Sequence, residues 1–243
     1  MPDSLAITRL LNHLFGGVVA SAMHVVGVPA NPATAINDTT ALEILVVVGL
    51  IAFFIIVRLT LSVEKPNAAQ QVAEIVYEFT GNQGEQIIGH GHERFQAFVT
   101  CIVLFVLLNN FLGLIPGVIT PTSQPVVPLG LAVLTFLYYN YHGIRTQGPI
   151  GYIKHFAGPV WWMSWLILPI EVVSHLARVL SLTIRLYANM LASDLVTLVF
   201  FSLIPLAIPT IFLGLHFAVS IIQAFVFMLL TMIYLSLATV QDH

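Results

Sequence analysis

Charged residues are scarce in this sequence. Asp, Glu, Lys and Arg make up 8% of its 243 residues, whereas hydrophobic residues make up 58% and the mean hydropathy is +0.95. Soluble domains carry about 25% charged residues, so this composition excludes an ordinary soluble fold and indicates an integral membrane protein. The net charge of -3 comes from few residues, which leaves no basic patch for nucleic acid and no acidic tail.

Cysteine is nearly absent, and nucleotide-binding motifs are missing. The single cysteine, Cys101, lies in an apolar run and permits no disulfide within the chain. No P-loop pattern occurs, so we expect no nucleotide site, no cofactor and no enzyme activity in this chain by itself. His90, His92 and Glu93 lack a recognised ligand spacing, and we interpret them as solvated polar residues rather than as a metal site.

Glycine and proline are absent from one long stretch, residues 170–203, although the chain contains 16 Gly and 13 Pro. The lack of helix breakers predicts one continuous helix over residues 169–204. Such a helix would be roughly 54 Å long, whereas the hydrocarbon core of a bilayer is about 30 Å thick. The helix must therefore tilt or lie partly along the membrane, and packing against a partner usually sets such a tilt.

This long helix does contain charge. It holds the acidic and basic residues Glu171, His175, Arg178, Arg185 and Asp194. A charge near the bilayer centre costs at least about 2.5 to 3.5 kcal/mol, so several charges on one helix indicate a wet or protein-lined pathway. At 100° per residue, the first four share one face with Asn189 within about 80°, while Asp194 points roughly the opposite way, about 14 Å beyond Arg185. Two separate aqueous paths fit this arrangement better than one straight pore.

The remaining apolar segments predict an all-α integral membrane protein with about five membrane-embedded helices and an amphipathic surface helix. We expect a single membrane domain, 1–243, with an outer-side N-terminal segment (1–40), three spans with the surface helix (41–160) and a helical hairpin (161–243). The N-terminal segment is interpreted as a short surface or interfacial helix followed by a loop. The spans are predicted at residues 42–61, 95–115 and 129–141, the surface helix between residues 62 and 94, and the last helix at residues 210–237.

The cations outside the long helix predict the orientation in the membrane. Five of these six residues, all except Arg9, lie around the first and third connections between spans. The positive-inside rule therefore makes both connections cytoplasmic. This gives about five passes, with the N-terminus outside and the C-terminus inside.

Folding the long helix against the last helix gives the deep polar groups partners. His216 and Gln223 share a face of the last helix. An antiparallel pairing centred on Pro205 brings Arg185 opposite Gln223 and Asp194 opposite His216. Pro205 marks the turn because proline interrupts a helix, independently of the polar residues. The agreement between the turn and the pairs therefore indicates that the polar groups work together.

The two helices of this hairpin also carry a resemblance to a known family. SLTIRLYANMLASD (residues 181–194) resembles the arginine helix of subunit a of the F-type ATP synthase, the stationary half of its proton channel. LHFAVSIIQAFVFMLLTMIYLSLA (residues 215–238) resembles the last helix of that family. The segments EKPNAAQQVAEIVYEF and NNFLGLIPG and the PTS turn fit more loosely, so the resemblance covers nearly everything after about residue 40.

The resemblance implies roles for individual residues. Arg185 matches the essential arginine that faces the carboxylates of a rotating c-ring and separates two offset half-channels. Asp194 and His216 match the pair that lines the outer half-channel, and Glu171 matches an acidic residue toward the cytoplasmic exit. The residues that we expect to take part in proton translocation are Arg185, Asp194, His216, Gln223, Asn189, Glu171 and His175.

The resemblance also implies partners and a location. We expect the chain to work with the c-ring, with the peripheral-stalk subunit b and with the lipid bilayer. The translocated ion would be H⁺, with Na⁺ left open because the ring carries the ion-binding site. The bacterial cytoplasmic (inner) membrane is the expected location, and the inner membrane of an organelle is left open.

Two function classes other than a proton-translocating subunit are compatible with buried charges in a membrane protein. A self-contained proton-coupled secondary transporter would bind a substrate at its buried charges, but inverted repeats and broken helices are not evident. A haem-binding membrane anchor would use His175 and His216 as ligands, yet the hairpin pairing puts these residues at different depths. Both alternatives therefore explain the pattern less well than a proton-translocating subunit.

Overall fold

The computed structural model describes residues 5–25, 31–32, 34–63, 65–115, 118–157, 164–203 and 207–239. Within these residues the regular secondary structure is entirely helical, which confirms the predicted fold class. In chain order the helices are α1 (Ala6–Val25), α2 (Asp38–Leu59), α3 (Ala68–Ile87), α4 (Glu93–Leu112), the 3-10 helix Pro121–Ser123, α5 (Val126–Ala157), α6 (Ser164–Leu203) and α7 (Ala207–Thr239).

Four of the described helices, α2, α4, α6 and α7, are long and apolar enough to cross a membrane. The chain is therefore a multi-pass membrane protein. The third span, predicted at residues 129–141, lies in α5, which is not among the four. Tyr138, Asn140 and His142 dilute the apolar character of α5. The number of passes, about five from the sequence, stays a prediction.

Helix α5 extends well beyond the predicted third span. It begins at Val126 and continues to Ala157, with one non-helical residue, Gly148, at φ 75° and ψ 158°. A positive φ of this size suits glycine, because glycine has no Cβ to clash with the backbone. The third connection, which the sequence predicts after the span at residues 129–141, is thus helical as far as Ala157 except at Gly148.

The N-terminal segment forms a 20-residue helix, α1, where a short helix was predicted. The side chain of Asn12 exchanges two hydrogen bonds with the backbone of Ile36, at 2.9 and 3.0 Å, and Thr8 donates to Asp38. These bonds attach α1 to the beginning of α2. Leu10 and Leu14 on its other side are exposed, and the interfacial placement of this helix stays a prediction.

The core lies where α4, α5, α6 and α7 pack together. Val106 from α4, Leu186 from α6 and Phe227 from α7 belong to one buried cluster, in which each is at most 1% exposed. Tyr139 of α5 belongs to a neighbouring cluster that also contains residues of α4 and α7. This four-helix core holds the polar faces of α6 and α7 in a fixed relation.

Helix α6 is continuous over 40 residues and confirms the uninterrupted helix predicted from Pro169 as far as Leu203. It begins earlier than predicted, at Ser164, and so contains Pro169. At about 1.5 Å per residue it is about 60 Å long. Only 17% of its most apolar stretch is buried by the rest of the chain, compared with 44% for α4 and for α7. Helix α7 packs against it, although the turn predicted at Pro205 lies outside the described residues. Most of α6 is therefore left for lipid or for a partner to cover.

Candidate functional site

The polar side chains on and around α6 fall into three groups, which we name after the predicted orientation. The outer group is centred on Asp194 and His216, the middle group on Arg185, and the inner group on Glu171 and His175. At about 1.5 Å per residue, Arg185 lies about 14 Å from Asp194 and about 21 Å from Glu171 along α6. The three groups are thus well separated along the helix axis.

His216 is the centre of the outer group and is 0% exposed. Its Nε2 lies 3.2 Å from the backbone carbonyl oxygen of Asn110, and its Nδ1 lies 2.8 Å from Ser193 Oγ. Because a carbonyl oxygen can only accept, the neutral imidazole carries its proton on Nε2 and accepts the Ser193 hydroxyl at Nδ1. The same Nδ1 lies 3.7 Å from Asp194 Oδ1, so a second proton on the ring would face this carboxylate. The hairpin register therefore predicted this pair correctly.

Asp194 is held from its other side by the turn before α5. Thr120 Oγ1 donates a hydrogen bond of 2.7 Å to Asp194 Oδ1, and the Thr120 backbone N–H donates to Oδ2 at 3.3 Å. Thr120 is completely buried, and the 3-10 helix follows it directly. Within that helix, Thr122 donates a bond of 2.6 Å to Asn110 Oδ1. The turn thereby connects the end of α4 to the carboxylate on α6.

Gly113, at the end of α4, makes this arrangement possible. A Cβ at this position would lie 1.9 Å from Thr120 Oγ1 and 3.0 Å from both Cε1 and Nε2 of His216. Real Cβ atoms essentially never approach other heavy atoms closer than 3.0 Å. A glycine is therefore required for the Thr120 hydroxyl and the His216 imidazole to lie where they do.

Two cavities flank the turn formed by residues 118–124. One, of about 630 Å³, has Asp194 and Ser123 among otherwise mostly apolar lining residues. The other, of about 890 Å³, lies between α1, the beginning of α2 and the beginning of α5, and Asp38 and Glu43 contribute to its wall. Asp194 therefore borders open space, and Ile119 and Gln124 of the same turn line both this cavity and the second, acidic one.

Arg185, the middle group, is half-buried. Its Nη2 donates a long hydrogen bond of 3.4 Å to Ser181 Oγ, in an exposed setting one turn earlier on α6. Among the residues that the structure describes, no carboxylate forms an ion pair with this guanidinium. Because arginine stays protonated in proteins, the described chain leaves this positive charge without a negative partner.

The side chain that contacts Gln223 is Asn189. Its Nδ2 donates a hydrogen bond of 3.0 Å to Gln223 Oε1, and Gln223 is 4% exposed. Asn189 lies one helical turn along α6 from Arg185, so the observed partner of Gln223 belongs to the same face as Arg185. The predicted placement of Arg185 opposite Gln223 stays a prediction.

The inner group joins α6 to α5. His175 Nε2 lies 3.4 Å from Glu171 Oε1, one turn earlier on the same helix. On the other side of the ring, the hydroxyl of Tyr139 lies 2.8 Å from His175 Nδ1, and the two rings stack with their centroids 5.8 Å apart. Nearby, the Arg178 guanidinium lies over the Tyr234 ring at 5.4 Å, in a cation–π contact.

Several partners in these groups were missed from the sequence: Asn110, Thr120, Thr122, Ser193 and Tyr139. The consecutive asparagines at residues 109 and 110 could have been found, because two amides in an apolar span are costly unless they are hydrogen-bonded. The hydroxyl residues give no comparable signal, since Ser and Thr are common in membrane helices. Tyr139 could not be placed because nothing in the sequence fixes how α5 rotates against α6.

Comparison with known sequences shows the family of this chain. Residues 40–236 match the family described as ATP synthase A chain. The chain is 49% identical over 244 residues to an ATP synthase subunit a of Koribacter versatilis, with 100% of both chains covered. It is 45% identical over 202 residues to that of Solibacter usitatus, covering 83% of this chain and 87% of the relative. For Sulfurimonas denitrificans the identity is 40% over 180 residues, covering 73% and 80%. The chain belongs to the ATP synthase A chain family, as the resemblance in its last two helices predicted.

Proposed function

We propose that this chain is the stationary proton-translocating subunit of a rotary ATP synthase, with two offset half-channels that Arg185 separates. The observation that carries the proposal is the position of Arg185, a half-buried guanidinium on a membrane-crossing helix without an acidic partner in the described chain. A buried charge is strongly unfavourable unless it is paired. A carboxylate from another subunit is therefore the partner that Arg185 requires.

The surface around Arg185 suits the close approach of another helix. Ser181, Ala188 and Ala192 are exposed and lie on the same side of α6 as Arg185, so that the four residues follow one another at intervals of four, three and four. Small side chains allow neighbouring helices in a membrane to come close together. A ring of hairpins with mid-membrane carboxylates, the c-ring of the ATP synthase, fits this surface.

The two remaining groups supply the two half-channels. A ring carboxylate would lose its proton to the inner group, pass Arg185 in its ionised form and receive a proton from the outer group. Arg185 favours the ionised carboxylate because of its own positive charge, and it relays no proton because its guanidinium group stays protonated. Asp194 and His216 are titratable groups suited to relay protons on the outer side, and Glu171 and His175 on the inner side.

A polar route also leads from the outer group toward Arg185. On α7, Ser220 lies between His216 and Gln223 on the same face, and all three are at most 4% exposed. The Ser220 hydroxyl has no hydrogen-bond partner among the described residues, which makes it available to a water molecule. Gln223 and Asn189 then continue the polar side chains to within one turn of Arg185.

Further parts of the proposal follow from the family and from the sequence. The chain would be a non-catalytic subunit in the bacterial cytoplasmic membrane, with its C-terminus inside, in contact with the c-ring and with peripheral-stalk subunit b. Membership of the family does not favour a self-contained transporter. A haem anchor is disfavoured because His175 and His216 are held in separate groups by Tyr139 and Glu171 and by Ser193 and Asn110.

Arg185→Ala in the complete ATP synthase tests the proposal. We expect ATP-driven proton pumping into inverted membrane vesicles to fall by about a hundredfold or more, since the pairing of a membrane-buried charge is lost. Arg58→Ala, at the exposed end of α2, is the matched control and should pump at the wild-type rate. Undiminished pumping by an assembled Arg185→Ala complex would refute the proposal.

A further inference from the structure

Tyr139 is a buried titratable residue that the proposed function does not yet use. It lies on α5, is 1% exposed, and points its hydroxyl at Nδ1 of His175 from 2.8 Å. Its ring stacks on the imidazole with an interplanar angle of 28°. This ring contact and the hydrogen bond together restrict both the position and the rotation of His175.

The contacts on the two sides of the imidazole define its proton positions. Nε2 lies on the side of Glu171, with a separation of 3.4 Å from Oε1, while Nδ1 lies on the side of Tyr139. A carboxylate can only accept, so the neutral ring carries its proton on Nε2, and Nδ1 accepts the Tyr139 hydroxyl. When the ring gains a second proton, on Nδ1, the same hydroxyl can rotate and accept it, because a phenol both donates and accepts.

Tyr139 can therefore serve both charge states of His175 without gaining or losing a proton itself. A backbone carbonyl in the place of this hydroxyl could only accept, so it could hydrogen-bond to the ring only when Nδ1 of His175 carries a proton. Exposure rises from Tyr139, which is 1% exposed, to the side chains of His175 and Glu171, which are 10% and 31% exposed. The arrangement thus runs from a buried hydroxyl to a carboxylate near the surface of α6.

We propose that Tyr139 is a positioning residue of the inner half-channel, which holds His175 so that Nε2 faces Glu171 while His175 gains and loses a proton. The proposal rests on the proposed function, because only a proton-translocating subunit needs such a pair on this side. Among the groups whose contacts the structure describes, Tyr234 of α7 and Arg178 are also titratable or charged: the Tyr234 ring lies 5.9 Å from that of Tyr139, and Arg178 lies over Tyr234.

The test uses Tyr139→Phe in the complete ATP synthase. In inverted vesicles the inner half-channel takes up protons from the medium, so the initial rate of ATP-driven pumping is measured against the pH of the medium. We expect a rate about two- to tenfold lower than wild type, as for one lost hydrogen bond. The reduction in pumping rate should become larger as the pH of the medium rises. Protons are then scarce, so their uptake through a misoriented pair of His175 and Glu171 limits the rate.

Tyr138→Phe is the matched control, since Tyr138 is the preceding residue and its ring stacks on Phe98 at 3.6 Å. It should leave the rate and its pH dependence unchanged. In a His175→Gln background, Tyr139→Phe should cause no further loss, because the hydroxyl acts through His175. A rate reduced equally at every pH, or an additive loss in the His175→Gln background, would mean a purely structural role and overturns the proposal.

The outcomes separate this proposal from the proposed function. If Arg185→Ala abolishes pumping while Tyr139→Phe keeps the wild-type rate and pH profile, only the role of Tyr139 is refuted. If Arg185→Ala pumps normally, both proposals fail. Should the Tyr139→Phe complex not assemble, the pH profile of His175→Gln decides: a profile like that of wild type overturns the proposal, and a loss at high pH supports it.

Discussion

Replacing Gly113 by Ala should block the outer half-channel without removing any of its polar groups. The added Cβ would lie 1.9 Å from Thr120 Oγ1, whereas ordinary van der Waals contact begins at 3.4 Å. The Thr120 hydroxyl must therefore move by about 1.5 Å or rotate away. Either change breaks its 2.7 Å hydrogen bond to Asp194.

The size of the effect follows from that bond. A hydrogen bond to a charged group contributes about 1.5 to 3 kcal/mol, and each 1.4 kcal/mol corresponds to a factor of ten in rate. If the loss falls on the step in which Asp194 relays a proton, flux through the outer path should drop by about ten- to hundredfold. The contact at 3.0 Å with His216 adds to this loss, because the imidazole is fully buried and has little room to move.

The assay is passive proton flux through vesicles stripped of the soluble ATPase sector, normalised to the amount of assembled complex. Gly214→Ala is the matched control, since it lies on α7 close to His216 and nothing lies within 4 Å of its added Cβ. The double variant Gly113→Ala with Thr120→Ala relieves the main clash and should restore assembly but not flux. An assembled Gly113→Ala complex with wild-type flux would refute the assignment of Thr120 and Asp194 to the path.

Two further predictions concern other residues of the proposed outer path, first Asp194 with His216 and then Asn189 with Gln223. Asp194→Asn combined with His216→Ala should lower passive flux by about a hundredfold, because both titratable groups of the outer group are removed, and wild-type flux would exclude them from the path. Asn189→Leu and Gln223→Leu should each reduce ATP-driven pumping, and the double variant should be less impaired than the sum of the two. Each single variant leaves the other amide without its hydrogen-bond partner, and the Gln223 amide is buried. Strict additivity would argue against the 3.0 Å bond between them.

The helices were predictable because their physical determinants are local. Hydropathy located α2, α4 and α7, and the absence of glycine and proline predicted α6 from Pro169 to its end at Leu203 but not its first five residues. The pairing of Asp194 with His216 was predictable as well, since two helices joined by a short turn must run antiparallel. These inferences need no knowledge of residues distant in the sequence.

The contacts made by the turn before α5 were not predictable. Thr120 and Asp194 are 74 residues apart, and their hydrogen bond depends on how α4, α5 and α6 pack together. The function of Gly113 is equally hidden, because a glycine at a helix end is ordinarily interpreted as a cap rather than as space for a distant hydroxyl. Tyr139 was missed for the same reason, since its contact with His175 spans 36 residues.

In the proposed mechanism, the chemistry around Arg185 explains why the two proton paths do not join. Between the outer group and Arg185 the hydrogen-bonded side chains are those of Asn189 and Gln223. Amides donate and accept hydrogen bonds but do not titrate at physiological pH, so they can orient water or a carboxylate without carrying a proton onward. Beyond them stands Arg185, a permanent positive charge that repels a migrating proton. A proton leaking directly between the paths would dissipate about 2.3 kcal/mol for each 100 mV of membrane potential. Under the proposed function, non-titrating amides beside a fixed charge would therefore leave a carboxylate on a moving partner as the route of the proton across the membrane.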